Sequence, residues 1–279
     1  MAEGPEVKRI ADKLREKLQG KKIRHAYAPR AMRVRLGPRL VRLRGAQIRR
    51  VYTRGKYIIL KFSTGDSLLH HMRVWGHWTF WSSSAAPPFR RPRRRLRLEL
   101  LTPDVRACLW DAPVVALLSA AELARHRQLA AQGPDGLAKR FNTEQFLRRL
   151  SEPRRAREEI GTVILDQSLV AGVGNMYKAE ILFRCGLHPR TQIAKLDGKT
   201  RRRLARTIPQ ILWQAYMRPV WYVPAARAAA GPGQALLQIY GRAGKPCAEC
   251  GTRIRCLLQG GWKRVTFYCP HCQAREFRS

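Results

Sequence analysis

The chain has 279 residues, more than a stable hydrophobic core requires, and no apolar run of 18 residues that would predict a membrane span. Lysine and arginine number 55 against 19 aspartates and glutamates, so the formal charge of +36 predicts a polyanionic partner, most simply a nucleic acid. An anionic membrane surface would attract the same charge, but the basic residues are scattered through ordinary folding segments. The first 20 residues are amphipathic, with acidic residues in place of an apolar signal core, and we therefore expect a bacterial cytosolic or nucleoid protein without membrane contact.

The first half of the chain predicts one helix followed by short strands. Apolar residues recur at spacings of three and four over residues 6–18, which indicates an amphipathic helix that Gly20 ends. Short β-type runs follow, with Gly and Pro between them, which is typical of a sandwich or a barrel. These runs are residues 33–36, 47–52, 57–62, 78–81 and 96–100, with a later strand pair over residues 105–113.

The second half predicts helices. Residues 82–95, rich in Ser, Pro and Arg, indicate a mobile basic loop between strands, and the breaker residues 132–136 mark a boundary. Helices are predicted over residues 143–150, capped by Thr143, and over residues 157–169, 175–185 and 199–217. Residues 225–233 are rich in Ala, Gly and Pro and indicate a linker. The fold class is therefore α+β, in three segments: residues 1–131, 137–233 and 236–279.

Four cysteines near the end of the chain have the spacing of a zinc site. Two pairs of cysteines, each separated by two residues, are themselves separated by 18 residues, a spacing that lets four thiolates surround one ion. The ligands would be Cys247, Cys250, Cys269 and Cys272. No His or carboxylate leaves an open position, so we expect one structural Zn²⁺. The remaining cysteines, Cys108, Cys185 and Cys256, are most simply buried free thiols.

The residues between the two cysteine pairs predict a hairpin. Strands over residues 253–258 and 263–268 flank Gly260 and Gly261, a pair suited to a two-residue turn with positive φ. A zinc ion would hold this hairpin rigid, so that Lys263 and Arg264 near its tip can meet a phosphate.

A second candidate anion site lies in residues 167–180. An apolar segment leads to Gly172 and Gly174, and a helix begins near Asn175, so that backbone N–H groups would point outward as a phosphate cradle. A tight turn between helices explains the same glycines, and the residues alone do not decide. Lys178 and Arg184 nearby favour anion binding.

Four segments in order carry a family resemblance. They are MAEGPEVKRIADKL at the start, TRGKY at 53–57, VAGVGNMYKAEILFRCGLHP at 170–189, and IYGRAGKPCAECG with VTFYCPHCQ near the end. Together they resemble the formamidopyrimidine-DNA glycosylase and endonuclease VIII family over nearly the whole length. The resemblance implies a two-layered β-sandwich with an N-terminal helix over 1–131, a helix-two-turns-helix domain over 137–233, and a zinc finger over 236–279. It also implies damaged DNA in the cleft between two lobes, and we expect a monomer.

The resemblance implies a bifunctional glycosylase and abasic-site lyase that acts through a Schiff base on the amine of residue 2. An α-amine with a pKa of about 8 offers several hundred times more free base than a lysine with a pKa of about 10.4. Ala2 would then be the nucleophile and Glu3 the carboxylate that moves protons, with Glu6 as the second acidic residue. The matching Lys56 would contact the DNA backbone and assist catalysis, and Asn175 and Arg264 would hold phosphate.

Residue 2 departs from the family pattern. The family has proline there, whereas this chain has Ala2, whose amine becomes free once Met1 is removed. Proline gives a permanently cationic iminium, but the imine of Ala2 must first take up a proton. A damaged-DNA-binding relative with little catalysis is therefore the alternative function, and without the resemblance Glu3 and Glu6 would be ordinary helix N-terminal charge.

The resemblance also suggests how the lesion is reached and which lesion is preferred. Residues 70–76 align with the family's wedge loop, so Arg73, Val74 and Trp75 would fill the hole left by a flipped base, unless they form only a strand end with an exposed tryptophan. Residues 105–113 lack the Arg-Arg-Phe-Gly run of the branch acting on oxidised purines, which favours the endonuclease VIII branch and oxidised pyrimidines. A zinc-ribbon accessory protein would explain the charge and the cysteines, but not the start of the chain or residues 170–175.

Overall fold

The computed structural model describes residues 2–84, 93–218 and 237–274. They belong to two compact units, Met1–Ala130 and Ala131–Ser279. Most of the basic loop predicted over residues 82–95, and all of the linker predicted over 225–233, lie outside the described residues. The limits of the three predicted segments therefore stay predictions. Every helix among the described residues is too short or too polar to span a bilayer.

The first unit contains two four-stranded antiparallel sheets. The first has the order β1 (His25–Tyr27), β6 (Leu96–Leu101), β7 (Val105–Trp110) and β5 (His77–Ser82). The second has the order β2 (Ile48–Arg54), β3 (Tyr57–Phe62), β4 (Ser67–His71) and β8 (Val114–Leu118). Leucines from both sheets meet in one buried core, which confirms the predicted sandwich. Two short helices, α3 (Ala120–Ala124) and α4 (Arg127–Ala130), follow the last strand.

The N-terminal helix α1 (Gly4–Leu18) packs into that same core. Its buried apolar residues Val7, Ala11 and Leu14 lie at the predicted spacing of three and four, with proline in its first turn, where no intrahelical N–H is needed. Gly20, at φ 85°, ends the helical segment and donates its N–H to the carbonyl of Ile48 at 2.8 Å. This contact fixes the end of α1 against the first residue of β2.

The predicted strand over residues 33–36 is wrong. Residues Arg30–Leu36 form helix α2, which Gly37 ends at φ 66°, and a 3-10 helix, Pro38–Leu43, follows. Met32 and Leu36 are buried four residues apart while Val34 between them is exposed, which is helical spacing. The alternating RVRL pattern was misleading because it contains only two apolar residues. Strands β1, β4 and β8 were not predicted: β1 is only three residues long, and β4 is largely buried and shows no alternation.

The second unit begins with helices. They are α5 (Thr143–Leu150), α6 (Ile160–Val163), α7 (Asn175–Arg184) and α8 (Gly198–Met217), with 3-10 turns at Pro153–Arg155 and Ile193–Lys195. The cap of α5 is Asn142, whose side chain accepts from the N–H of Gln145, and not the predicted Thr143. The predicted helix over residues 157–169 shrinks to α6. Asp166 explains the early end, since its carboxylate accepts from the N–H of Ser168 at 2.8 Å and from its hydroxyl at 2.7 Å, a turn that competes with a helix.

The terminal hairpin pairs β9 (Arg255–Gln259) with β10 (Arg264–Tyr268). Arg264 lies opposite Gln259, so the connection has four residues, 260–263, and the predicted two-residue turn is wrong. Positive φ falls on Gly260 at 68° and on Lys263 at 46°, whose N–H donates to the carbonyl of Gly260 at 3.0 Å. Of the three cysteines outside the cluster, Cys108 and Cys185 are buried as expected, whereas Cys256 on β9 is exposed. Cys256 shares its face of β9 with Leu258, two residues further on, and that side chain is exposed as well.

Candidate active site and nucleic-acid interface

The N-terminus of the first unit is held beside a tight loop. The backbone nitrogen of Ala2 donates to the carbonyl of Arg73 at 3.2 Å, and the Ala2 side chain packs against the core. The next residue, Glu3, is only 2 % exposed and stands at the N-cap of α1. A buried carboxyl therefore follows directly after the nitrogen that becomes the terminal amine when Met1 is removed.

Glu6 has the contacts of a helix cap. Its carboxylate accepts from the backbone N–H of Glu3 at 3.0 Å and forms an ion pair with Arg9, also at 3.0 Å. These contacts fix the backbone of Glu3, so Glu6 supports the first residues of the chain. A direct catalytic role for Glu6 stays a prediction.

The predicted wedge residues lie at the tip of a closed loop. Its base is the buried Met72, whose carbonyl accepts the N–H of Gly76 at 2.9 Å. A Cβ at Gly76 would lie 2.7 Å from the backbone of Met72, so only glycine allows this closure. Arg73 has φ 48°, and Val74 and Trp75 are exposed, the latter by 74 %. A strained, anchored loop thus presents two apolar side chains to solvent.

Lys56 and His71 lie next to this loop. Lys56 stands in a two-residue turn with Gly55, since Arg54 pairs with Tyr57, and Tyr57 pairs in turn with His71 on β4. The Nδ1 atom of His71 accepts the N–H of Arg73 at 3.0 Å. Burial, with the nearby charges of Lys56 and Arg73, lowers the pKa of His71 to about 4. The imidazole is therefore neutral at pH 7 and can hold the loop as an acceptor.

His70 behaves in the same way on the other face of β4. Its Nε2 atom accepts from the indole N–H of Trp78 at 2.9 Å, and burial lowers its pKa to about 3. In the folded protein the pKa values of both histidines lie below the ordinary value of 6.5. Between pH 6.5 and these lower pKa values the unfolded chain binds protons that the folded chain does not bind. The free energy of unfolding therefore falls as pH falls.

We expect the free energy of unfolding of the first unit to fall by about 2 kcal/mol for each of these histidines between pH 7 and pH 5. Urea unfolding at the two pH values measures the change. His71→Gln keeps a side-chain acceptor without a titrating ring. Its free energy of unfolding should therefore fall by about 2 kcal/mol less than that of the wild type between the two pH values. An equal loss in both proteins would contradict this assignment.

In the second unit, Gln167 braces the glycine-containing segment before α7. Its amide donates to the carbonyls of Leu165 at 2.8 Å and Val173 at 3.0 Å, and its oxygen accepts the N–H of Gly172 at 3.1 Å. Gly172 has φ 99°, and Gly174 precedes the first residue of α7, Asn175. The segment is therefore a rigid turn that fixes where a helix N-terminus, which attracts anions, begins.

The predicted phosphate ligands lie near one another in this unit. The Asn175 amide donates to the carbonyl of Val265 at 2.8 Å, which places the start of α7 beside Arg264, the preceding residue of β10. The side chain of Arg264 is exposed and forms no ion pair or hydrogen bond with the described part of the chain. Lys178 is fully buried and donates to the hydroxyl of Thr266 at 2.6 Å, so the expectation that it supports anion binding is wrong. It joins α7 to the hairpin instead.

The four cysteines of the predicted zinc site are together. Their sulfur atoms all lie within 4.8 Å of one another, with 3.9 Å between those of Cys247 and Cys272 and 3.5 Å between those of Cys250 and Cys269. A tetrahedral zinc ion at about 2.3 Å from each sulfur requires sulfur atoms about 3.8 Å apart. The cluster therefore fits one zinc ion, for which four thiolates are a complete ligand set.

Two buried side chains hold the cysteine-rich segment against the helices. The carboxylate of Glu180, on α7, accepts the backbone N–H groups of three consecutive residues, Gln238, Ile239 and Tyr240, at 2.9–3.1 Å. Burial raises the pKa of Glu180, and these three donors oppose the shift. Gln273 donates to the carbonyl of Leu187 at 2.7 Å and accepts the N–H of Cys269 at 2.9 Å.

Comparison with known proteins identifies the family of the chain. The N-terminal domain of formamidopyrimidine-DNA glycosylase matches residues 1–112, and the H2TH domain of formamidopyrimidine-DNA glycosylase matches residues 132–218. Endonuclease 8 of Pectobacterium atrosepticum is 30% identical over 280 residues, covering 98% of this chain and 100% of the relative. The chain belongs to the formamidopyrimidine-DNA glycosylase and endonuclease 8 family. Endonuclease 8 of Salmonella typhimurium is also 30% identical, over 276 residues, with 98% and 100% covered.

Solved structures of the family have the same fold. Lactococcus lactis Fpg in complex with DNA containing N7-benzyl-Fapy-dG superimposes with a TM-score of 0.84, at 26% identity, covering 98% of this chain and 100% of that one. The same protein in complex with abasic-site DNA gives a TM-score of 0.83 over the same shares, also at 26% identity. The predicted family and fold class are confirmed, including the sandwich, the H2TH domain and the terminal cysteine cluster.

The residues predicted for the site fall into one cluster in each unit. In the first unit, Ala2 contacts Arg73, and the charges of Lys56 and Arg73 both lower the pKa of His71. Three supporting residues were not predicted: His71, Gln167 and Gln273. His71 and Gln273 lie inside segments that carry the family resemblance, and Gln167 begins the candidate anion segment over residues 167–180. Each acts by a hydrogen bond to the backbone of another residue, which the sequence does not show.

Proposed function

We propose that this chain is a bifunctional DNA glycosylase and abasic-site lyase that removes oxidised bases, chiefly pyrimidines, through a Schiff base on the amine of Ala2. Its family consists of DNA glycosylases for oxidised bases in repair. One observation carries the finer proposal: the nitrogen of Ala2 is fixed at 3.2 Å from the carbonyl of Arg73, at the foot of the exposed loop that would enter DNA. The proposed nucleophile is therefore held by the same loop that carries the proposed wedge residues.

The reaction follows from the chemistry of that amine. The free amine attacks C1′ of the deoxyribose, the bond from C1′ to the base breaks, and the base leaves with a proton. Ring opening gives an imine, which takes up a proton because Ala2 is a primary amine. Loss of a C2′ proton then expels the 3′ phosphate and cleaves the strand. The buried Glu3 carboxyl next to the amine is the group that we assign to these proton transfers.

DNA binding is shared among charged and apolar groups. Arg264 and the N-terminus of α7 at Asn175 would hold a backbone phosphate, and Lys56 another. The exposed side chains of Val74 and Trp75, with Arg73, would fill the space left by the flipped base. The resident zinc would supply no chemistry beyond holding the hairpin that carries Arg264.

The pyrimidine preference rests on the end of β7. After Trp110 the chain turns at Asp111, at φ 51°, whose carboxylate pairs with the guanidinium of Arg95 at 2.8 Å. Residues 105–113, which include this turn, contain no Arg-Arg-Phe-Gly run of the kind that the purine-directed branch carries. This difference supports the endonuclease VIII branch.

Excision from a panel of duplexes tests this function. Duplexes containing an oxidised pyrimidine, such as 5-hydroxyuracil, should lose the base faster than duplexes containing 8-oxoguanine, and hot alkali after the reaction reveals bases removed without strand cleavage. Glu3→Gln should cut excision more than cleavage of a pre-formed abasic site. Preference for the purine would overturn the lesion assignment. Tight lesion binding without excision would instead favour a damaged-DNA-binding protein, the alternative that Ala2 in place of proline suggests.

We expect Arg264→Ala to weaken binding to all lesions about equally and to reduce the slope of log affinity against log salt by about one. Arg264 is exposed at the start of β10, where its charge is available to one phosphate. Fluorescence anisotropy across a salt series measures both quantities. Arg255→Ala is the matched control, since Arg255 is an exposed arginine at the opposite end of the same hairpin. Equal slopes for Arg264→Ala and the wild type would count against a phosphate contact.

A further inference from the structure

The tip of the terminal hairpin carries an exposed apolar patch that the proposed function leaves unused. Trp262 is 86 % exposed, the largest fraction among the exposed large apolar side chains of the described residues. Leu258 and Val265 lie directly opposite each other on β9 and β10, so they share a face of the hairpin, and both are exposed. A free surface of this kind costs solubility unless something covers it.

The patch is presented rigidly. The amide of Gln259 donates to the carboxylate of Glu159 at 2.7 Å and to the carbonyl of Pro189 at 2.9 Å, and its oxygen accepts from the hydroxyl of Thr266 at 3.1 Å. A Cβ at Gly161 would lie 2.3 Å from the oxygen of that amide, so a larger residue there would displace Gln259 from these contacts. The base of the tip is therefore fixed, and the exposure of Trp262 does not come from a loosely held strand pair.

The charges around Trp262 indicate what covers it. Lys263 and Arg264 follow it directly, both exposed, and the backbones of Trp262 and Arg264 are at most about 7 Å apart. A partner must then offer an anionic group and a flat apolar face within the length of two residues. A nucleotide has both, in its phosphate and its base.

We propose that Trp262 stacks on an unstacked base next to the phosphate held by Arg264. The proposal rests on DNA binding in the proposed function and adds a second kind of contact to it. An indole stacks on any base, so the contact would add affinity without sequence preference. It would favour DNA in which the neighbouring bases are free, as in single strands or at a kinked lesion.

Binding of a fluorescent oligonucleotide with a tetrahydrofuran abasic site, single-stranded and duplex, tests the proposal. Stacking of one base corresponds to about five- to 150-fold in affinity, so Trp262→Ala should weaken single-strand binding at least fivefold. Its salt slope should stay that of the wild type, because no charge is lost. Trp262→Phe should retain most of the affinity, whereas Trp262→Leu should behave like Trp262→Ala.

Val41→Ala, at an exposed apolar residue of the first unit, is the control and should leave binding unchanged. Unchanged affinity in Trp262→Ala would overturn the proposal and leave the patch to a protein partner. Equal affinities of Trp262→Leu and Trp262→Phe would also overturn it, since they would show contact without stacking. Failure of the wild type to bind any DNA would refute the proposed function itself, whereas a wild type that binds and excises alongside an unaffected Trp262→Ala refutes the stacking alone.

Discussion

Borohydride should trap a covalent adduct between the protein and abasic-site DNA, and peptide mass analysis should place that adduct on Ala2. The imine joining the two is reduced to a stable amine only while it exists, so trapping reports the intermediate itself. The backbone contact from Ala2 to Arg73 holds the nitrogen at a fixed position. A protein that retains Met1, or carries an N-terminal tag, should give no adduct, because its amine is displaced or acylated.

Restoring proline at position 2 separates the two candidate functions. Ala2→Pro should raise the lyase rate, because the iminium of a secondary amine is cationic at every pH and needs no proton before elimination. The gain should be largest at high pH, where the Ala2 imine is least protonated. An Ala2 protein that binds lesions tightly without adduct or cleavage, beside an Ala2→Pro variant that gives both, would establish the binding-only alternative.

Removal of zinc should abolish DNA binding while the first unit stays folded. Zinc-finger peptides gain apparent binding energies of about 10–16 kcal/mol from the metal, which is more than a small hairpin can replace. Cys247 and Cys269 are buried with Ile239 and Ile254 in a cluster that includes Phe183 of α7, so loss of the ion would unpack the segment that carries Arg264. Elemental analysis should find one zinc per chain, and a strong chelator should remove zinc and affinity together.

Cys256 provides the matched control for the zinc site. It is exposed on β9, and its sulfur is not part of the four-sulfur cluster. Cys256→Ser should therefore keep both zinc and DNA binding, whereas Cys250→Ser should lose both. Fully active protein without zinc would contradict the assignment, as would a chelator that unfolds the first unit, which holds none of the four cysteines.

The sequence predicted best where the signal is periodic or chemically unusual. Helix α1 and strand β3 lie where residue spacing indicated, and four cysteines with rare spacing share one site. Short segments failed because packing decided them: residues 33–36 became part of a helix when Met32 and Leu36 were buried. At residues 157–169, side-chain hydrogen bonds of Asp166 ended a helix that the apolar pattern would have continued.

Site residues were predicted unevenly for a related reason. Family segments pointed to Ala2, Glu3 and Asn175, which the reaction or the phosphate would need. They did not show that Lys178 is buried against Thr266. The sequence identifies a lysine near a helix N-terminus, but it does not show whether the side chain faces solvent or the interior. Nor did the family segments indicate the role of His71, which depends on how the chain folds back after β4 to bring the N–H of Arg73 to its ring.

Glu180 accepts three consecutive backbone N–H groups of the cysteine-rich segment. The position of that segment therefore does not depend on the length of the chain that leads to it. Residues 238–240 are located by a helix far back in the sequence, and α8 ends at Met217. Closing a longer connection costs only about 0.6 kcal/mol for each doubling of its length. Engineered forms can therefore have more or fewer residues between 218 and 237, and the cysteine cluster should still pack at the same place on α7.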